Sequence, residues 1–143
     1  MQPIEWREEY SVGIPEIDAQ HRRLIELLGA LVKFAGSGGV VDPRTAVAQV
    51  KRYAEQHLAD EELMLSIRGY PGYAEHMAQH DAYRKKAAVI EAQSDRKDFA
   101  IRITAFLVEW WSNHILNSDQ EYARYFRSHP RVESDRTGQE PGE

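Results

Sequence analysis

The chain has 143 residues, 42% of them hydrophobic and 29% charged, a composition suited to one globular domain with a single core. Its formal charge of -5 leaves no footprint for nucleic acid, and no apolar run reaches the length of a membrane span. The absence of cysteine excludes disulfide staples, thiolate metal sites and a cysteine nucleophile, and with no signal-peptide pattern at the start it fits a cytoplasmic setting.

Residues 1–17 read as an N-terminal arm, punctuated by Pro3, Gly13 and Pro15 and carrying Trp6 and Tyr10 without a helical period. Asp18 is placed to cap a first helix whose apolar positions are Leu24, Ile25, Leu28, Leu31, Val32 and Ala35, and the Gly36-Ser37-Gly38-Gly39 cluster ends it. Asp42-Pro43 restarts the chain with a capping side chain and a proline at the first helical position. That second helix runs to Ile67 or Arg68 and stops at Gly69, and Tyr70-Pro71-Gly72 turns the chain back. A third helix is predicted from about Tyr73 to Gln93. Ser94 to Asp98 offers new caps, and a fourth helix runs from about Phe99 to Arg127, closed by Pro130. The tail over 130–143 is nearly free of apolar residues and is expected to be disordered. Strand signals are missing. Four helices of roughly 20 residues and roughly 30 Å each predict an all-α fold, an antiparallel up-down-up-down four-helix bundle over 18–129 with the arm packed on it.

A bundle helix buries positions three and four apart. On the second helix that stripe reads Val47, Val50, Ala54, His57, Glu61, Met64; on the third it reads Tyr73, His76, His80, Tyr83, Ala87, Ile90. His21 is in phase with Leu24, Leu28 and Leu31, and His114 continues Phe99, Ile103, Phe106 or Leu107, and Trp110. Five of the six histidines therefore face the predicted core, with contributions from all four helices. One histidine on an apolar face is ordinarily a hydrogen-bonded core residue. Five, with a buried Glu61 and no Lys or Arg on the same stripes, call for a metal.

The ligand set narrows the choice. His76-Met77-Ala78-Gln79-His80 is not the His-Glu-x-x-His of a zincin protease, and no Glu-x-x-His of carboxylate-rich di-iron oxidases occurs. Five histidines exceed the need of one catalytic zinc, which points to two metals. If an acidic residue near the end of helix four joins Glu61 and both bridge, five imidazoles, two carboxylates and a bridging oxide or hydroxide fill about eleven of about twelve octahedral positions. About one position is left for a small ligand.

The residues Gly13-Ile14-Pro15-Glu16-Ile17-Asp18-Ala19-Gln20-His21, His57-Leu58-Ala59-Asp60-Glu61-Glu62, Gly69-Tyr70-Pro71, His76-x-x-x-His80 and Trp110-x-x-x-His114-Ile115 with Asp119 resemble the hemerythrin family, in its bacterial single-domain form, over about 6–125. The resemblance implies two iron ions (Fe2+/Fe3+) with a bridging oxo or hydroxo group. One would be held by His76, His80 and His114, the other by His21 and His57, with Glu61 and Asp119 bridging and dioxygen bound at the two-histidine ion. The expected oxygen pocket is Trp110, Trp111, Leu24, Leu28, Leu58 and Ile115, with Trp110 as its wall.

Several positions depart from a smooth reading. Asp119 is five residues after His114, about 140° away on a regular helix, which predicts a distortion or helix end there; Ser118 is in better phase but is a poor iron ligand. Trp111 stands where the family more often has an aliphatic residue, and Tyr83 where it has Phe. Glu62 and His129 are expected to face outward. The function implied is reversible dioxygen binding as a store, carrier or buffer, not enzymatic, with an unidentified electron donor and no nucleic-acid or membrane partner; the sequence leaves the oligomeric state open, with a monomer favoured. An oxygen or redox sensor, or an enzyme handling peroxide or nitric oxide, is the alternative.

Overall fold

The computed structural model describes residues 4–36 and 43–130. The expectations for Asp42 and for the tail over 131–143 lie outside the described residues. After a short 3-10 turn at Glu8–Tyr10 come α1 (Pro15–Ala35), α2 (Pro43–Ile67), α3 (Tyr73–Glu91), α4 (Phe99–Leu116) and α5 (Ser118–Ser128). The fold is all-α, a four-helix bundle in which α1 packs on α2 and α4, and α3 packs on the same two. The early residue His21 of α1 meets the late residue His57 of α2, and the early residue His80 of α3 meets the late residue His114 of α4, so neighbouring helices run antiparallel. No helix among the described residues is long and apolar enough to cross a membrane.

The helix ends follow local chemistry. Gly69 has φ of 67°, the left-handed backbone that glycine adopts without strain, and it closes α2. Its N–H donates to Ser66 O at 3.1 Å and that of Tyr70 to Leu65 O at 3.1 Å, satisfying the last carbonyls and aiming the chain into α3. Asp18 is not the cap of α1. The helix starts three residues earlier at Pro15, whose missing N–H costs nothing at that place, and Asp18 sits in the first turn. Its carboxylate reaches back to the arm, accepting Ser11 Oγ at 2.5 Å and the Val12 N–H at 2.8 Å. Asp98 flanks α4 without a side-chain capping bond and pairs with Arg96 instead.

The buried residues divide into two apolar groups. The larger runs through the bundle from Leu24, Leu28, Leu58, Trp111 and Ile115 to Leu31, Val47, Val50, Ile90 and Phe99. The smaller gathers Val12, Ile17, Leu65, Tyr122, Ala123 and Phe126 where the arm and α5 meet the ends of α1 and α2. On α2 the last core position belongs to Leu65, with no exposed surface, and the expected Met64 is only half-buried. Between these two groups α1, α2, α3, α4 and α5 contribute buried polar residues.

Asp18 thus ties the arm to the bundle. Asp18→Ala leaves the buried Val12 N–H without a partner, an expected loss of about 1–3 kcal/mol. The check is a denaturant midpoint that falls with an unchanged slope, together with faster proteolysis within the arm.

Candidate metal centre

All seven residues, six on the inward stripes and Asp119 implied by the resemblance, come together at the start of α1 and α3, the end of α2 and α4, and the start of α5. His21, His80, Glu61 and Asp119 have no exposed surface, and His57, His76 and His114 have at most 5%. Asp119 reaches the cluster because the fourth helix breaks. Asn117 leaves the helical backbone at φ -118° and ψ -70°, and α5 restarts at Ser118. The predicted distortion is therefore a helix end followed by a new helix, and Asp119 gains the favourable first-turn position for an anion. The break is stitched locally. Asn117 Nδ2 donates to Asn113 O at 2.8 Å, Gln120 Nε2 lies 3.2 Å from Ile115 O and 3.3 Å from Tyr10 O, and the Ser118 hydroxyl donates to Gln79 Oε1.

Each carboxylate shows one oxygen to each side. Glu61 Oε1 lies 2.9 Å from His76 Nε2 and 3.2 Å from His80 Nε2, while Oε2 lies 3.6 Å from His57 Nε2 and 3.9 Å from His21 Nε2. Asp119 Oδ1 lies 3.1 Å from His114 Nε2 and 3.3 Å from His76 Nε2, and Oδ2 lies 3.2 Å from His21 Nε2. Two groups result, Glu61 with His76, His80 and His114, and Glu61 with His21 and His57, each with ligand atoms within 4.8 Å of one another.

Outer partners fix which ring nitrogen faces inward. Glu62 Oε2 takes the His80 Nδ1 proton at 2.8 Å, leaving Nε2 with its lone pair toward the centre. Gln20 Oε1 takes the His57 Nδ1 proton at 2.6 Å, and the amide is held in that sense because its Nε2 donates to Asp60 Oδ2 at 2.9 Å. The centre is consequently crowded with acceptors. Both Asp119 oxygens are buried and make no hydrogen bond, and the His21 Nε2 to His57 Nε2 separation is only 3.1 Å. Converging imidazole nitrogens and carboxylate oxygens fit cations, and among the described residues no Lys or Arg enters the cluster to supply the missing positive charge, which leaves protons or metal ions.

The titration behaviour reports the same demand. Burial opposes charging of His76, yet Asp119 and Glu61 push its imidazole up to about 10. His57 falls to about 4 through burial and the proximity of His21. Burial and repulsion from Asp119 would raise Glu61, but the hydrogen bond from His76 holds it below the usual carboxylate range. Tyr122 is raised well above its ordinary value by burial and by Glu61 and Asp119, so it stays a donor, giving its proton to Glu61 Oε2 at 2.7 Å.

Of the expected pocket, Leu24, Leu28, Leu58, Trp111 and Ile115 have no exposed surface. Trp111 stands 5.7 Å from the His57 ring, with Tyr83 edge-on to it at 5.4 Å. Trp110 is not on that side. It stacks on His114 at 4.4 Å and 15°, at the edge of an open cleft of about 470 Å³ that also includes Gln79, Phe106 and Asn113. Glu62 does not face outward, since it is the acceptor behind His80. Gln20, Glu62 and Tyr122 escape a search for ligands because they touch ligands; the usable signal is that every inward imidazole needs an acceptor behind it. His129 is exposed, as expected.

The family model described as Hemerythrin HHE cation binding domain matches residues 12–126. The chain is similar to a bacteriohemerythrin of Clostridium acetobutylicum, 31% identical over 124 residues that cover 82% of this chain and 96% of the relative. It is also similar to a bacteriohemerythrin of Stenotrophomonas maltophilia, 32% identical over 131 residues covering 87% and 82% of the two chains. A hemerythrin subunit alpha of Lingula anatina is 27% identical over 121 residues covering 85% and 93%.

The two opposed histidine shifts set the pH profile of the metal-free protein. His76, raised from 6.5 to about 10, adds stability that is complete below 6.5 and is lost as pH rises towards 10. His57, lowered from 6.5 to about 4, adds stability that is lost as pH falls from 6.5 towards 4. Unfolding free energy measured at about pH 5, 6.5 and 9 is expected to peak at the middle value, and metal should flatten the alkaline limb by taking the place of the His76 proton. A metal-free profile that keeps rising to about pH 9 would contradict the cluster's assignment.

Proposed function

The chain belongs to the hemerythrin family, and from that premise we propose that it binds dioxygen reversibly at two iron ions, as a store, carrier or buffer of oxygen. The observation that carries the reading is the arrangement of Glu61 and Asp119, each with one oxygen toward His76 and the other toward His21. In this reading His76, His80 and His114 hold one ion, His21 and His57 hold the other, and the two carboxylates join them. When bound, the iron pair supplies the two electrons that dioxygen takes up and gives back.

The chain's own residues do the rest. Glu62 and Gln20 keep lone pairs of His80 and His57 pointed inward. Tyr122 pins Glu61 from below through its hydroxyl. Leu24, Leu28, Leu58, Trp111 and Ile115 close the two-histidine side to water, which favours return of dioxygen over its reduction, since protons cannot follow it in. The ligand shell, five neutral imidazoles against two carboxylates, gives weaker support to high oxidation states than a carboxylate-rich shell and favours binding over turnover.

The test is the visible absorption of the iron-loaded, reduced protein before oxygen, with oxygen, and after its removal. A charge-transfer band that appears and disappears over repeated cycles is the expected result. Irreversible conversion in the first cycle overturns the carrier reading and favours sensing or redox enzymology. The lid makes a separate prediction. Trp111→Leu leaves space beside His57, so azide uptake by the oxidised protein and loss of the oxygenated band should both accelerate several-fold, with about 1–3 kcal/mol of stability lost. Unchanged rates would remove Trp111 from the pocket wall.

A further inference from the structure

The partners behind the histidines are unequal, and the inequality runs from one ligand group to the other. At the three-histidine end the His80 Nδ1 proton goes to a carboxylate, Glu62, at 2.8 Å. Glu62 is shared with Arg84, whose Nη2 donates to the same oxygen, Oε2, at 2.9 Å. Arg84 in turn is held by Glu55 at 2.9 Å and Asp81 at 3.2 Å. At the two-histidine end the His57 Nδ1 proton goes to a neutral amide oxygen, and the buried His21 Nδ1 has no hydrogen-bond partner. A carboxylate at position 20 is disfavoured there, because Asp60 lies on the far side of Gln20, 2.9 Å from its Nε2.

A carboxylate that accepts an imidazole N–H draws the proton outward, and the density left on the ring makes its other nitrogen a stronger donor. A guanidinium on the same carboxylate oxygen competes for that density and weakens the pull. We propose that Glu62 and Arg84 are an opposed charge pair that sets the reduction potential of the three-histidine end, Glu62 lowering it through His80 and Arg84 limiting how far it falls. Both are positioning residues outside the ligand set, and Arg84, about 29% exposed, places the adjustable end of this relay at the protein surface. The inference rests on the reading of the cluster as a di-iron centre.

Opposite signs are what distinguish tuning from mere support. In optical redox titrations of the iron-loaded full chain, Glu62→Gln should raise the ferrous-to-ferric ratio at a fixed potential, on the order of tenfold if the ratio responds as strongly as metal affinity does to loss of such a partner. Arg84→Met should lower the ratio, and the double variant should behave as Glu62→Gln alone, because Arg84 acts only through Glu62. A second readout avoids iron redox chemistry. In zinc-loaded protein the His80 Nδ1 proton resonance should move upfield in Glu62→Gln and downfield in Arg84→Met. Shifts of one sign in both variants, additive effects in the double variant, or no shift in Arg84→Met overturn the proposal. If Glu62→Gln fails to fold, the sign of Arg84→Met and the zinc-protein resonance still decide it. A wild-type chain that binds no iron overturns the di-iron reading itself, and the tuning proposal falls with it.

Discussion

Two carboxylates enclosed in a helical bundle with no basic side chain of Lys or Arg among them are the constraint on which this structure depends. An unpaired buried carboxylate costs several kcal/mol, and two of them facing one another cost more. The chain answers with imidazoles from four helices, but imidazoles cancel the charge only as cations or by sharing a bound one. The upward displacement of His76 shows the first solution, a proton trapped between Glu61 and Asp119. Metal ions are the second, and they supply partners for the Asp119 oxygens that the proton leaves without a hydrogen bond.

The geometry of the helices follows from the same demand. Periodicity alone brings His57 with Glu61 and His76 with His80, each pair one turn apart on a face. It cannot bring in both His114 and Asp119 from an unbroken helix. The backbone therefore bends at Asn117, and the side chains of Asn117 and Gln120 add hydrogen bonds to the Asn113 and Ile115 carbonyls, the latter side chain also reaching the arm at Tyr10. The arm and α5 then share one apolar cluster with the ends of α1 and α2, so the lower closure of the centre is built from segments outside the four long helices.

What could be read from the sequence separates along the same line. The helix count, the inward stripes and six of the seven converging residues follow from spacing, because side chains that meet inside a bundle leave a periodic trace; Asp119 follows from the resemblance, and the break before it from its poor phase with His114. The arm's clamp did not, since Asp18 before an apolar run has the signature of a cap, and only the start of the helix at Pro15 shows that it serves the arm. Trp110 and Trp111 could not be separated by spacing: a rotation of one residue on α4 decides which of them lies over His57 and which stacks on His114. Glu62 looked like a solvated neighbour of Glu61 because the acceptor role it plays depends on α3 lying beside it, a tertiary fact with no period.

The two ends of the centre are closed by different materials, and the difference suits a carrier. Beside His57 stands the buried Trp111, within the apolar group that also holds Leu24, Leu28, Leu58 and Ile115. Around His114 the wall is a stacked indole at the edge of an open cleft. Dioxygen is small, apolar and uncharged, so brief side-chain motions are enough to pass it through a packed hydrocarbon wall, whereas a proton or hydrated anion needs a continuous polar path.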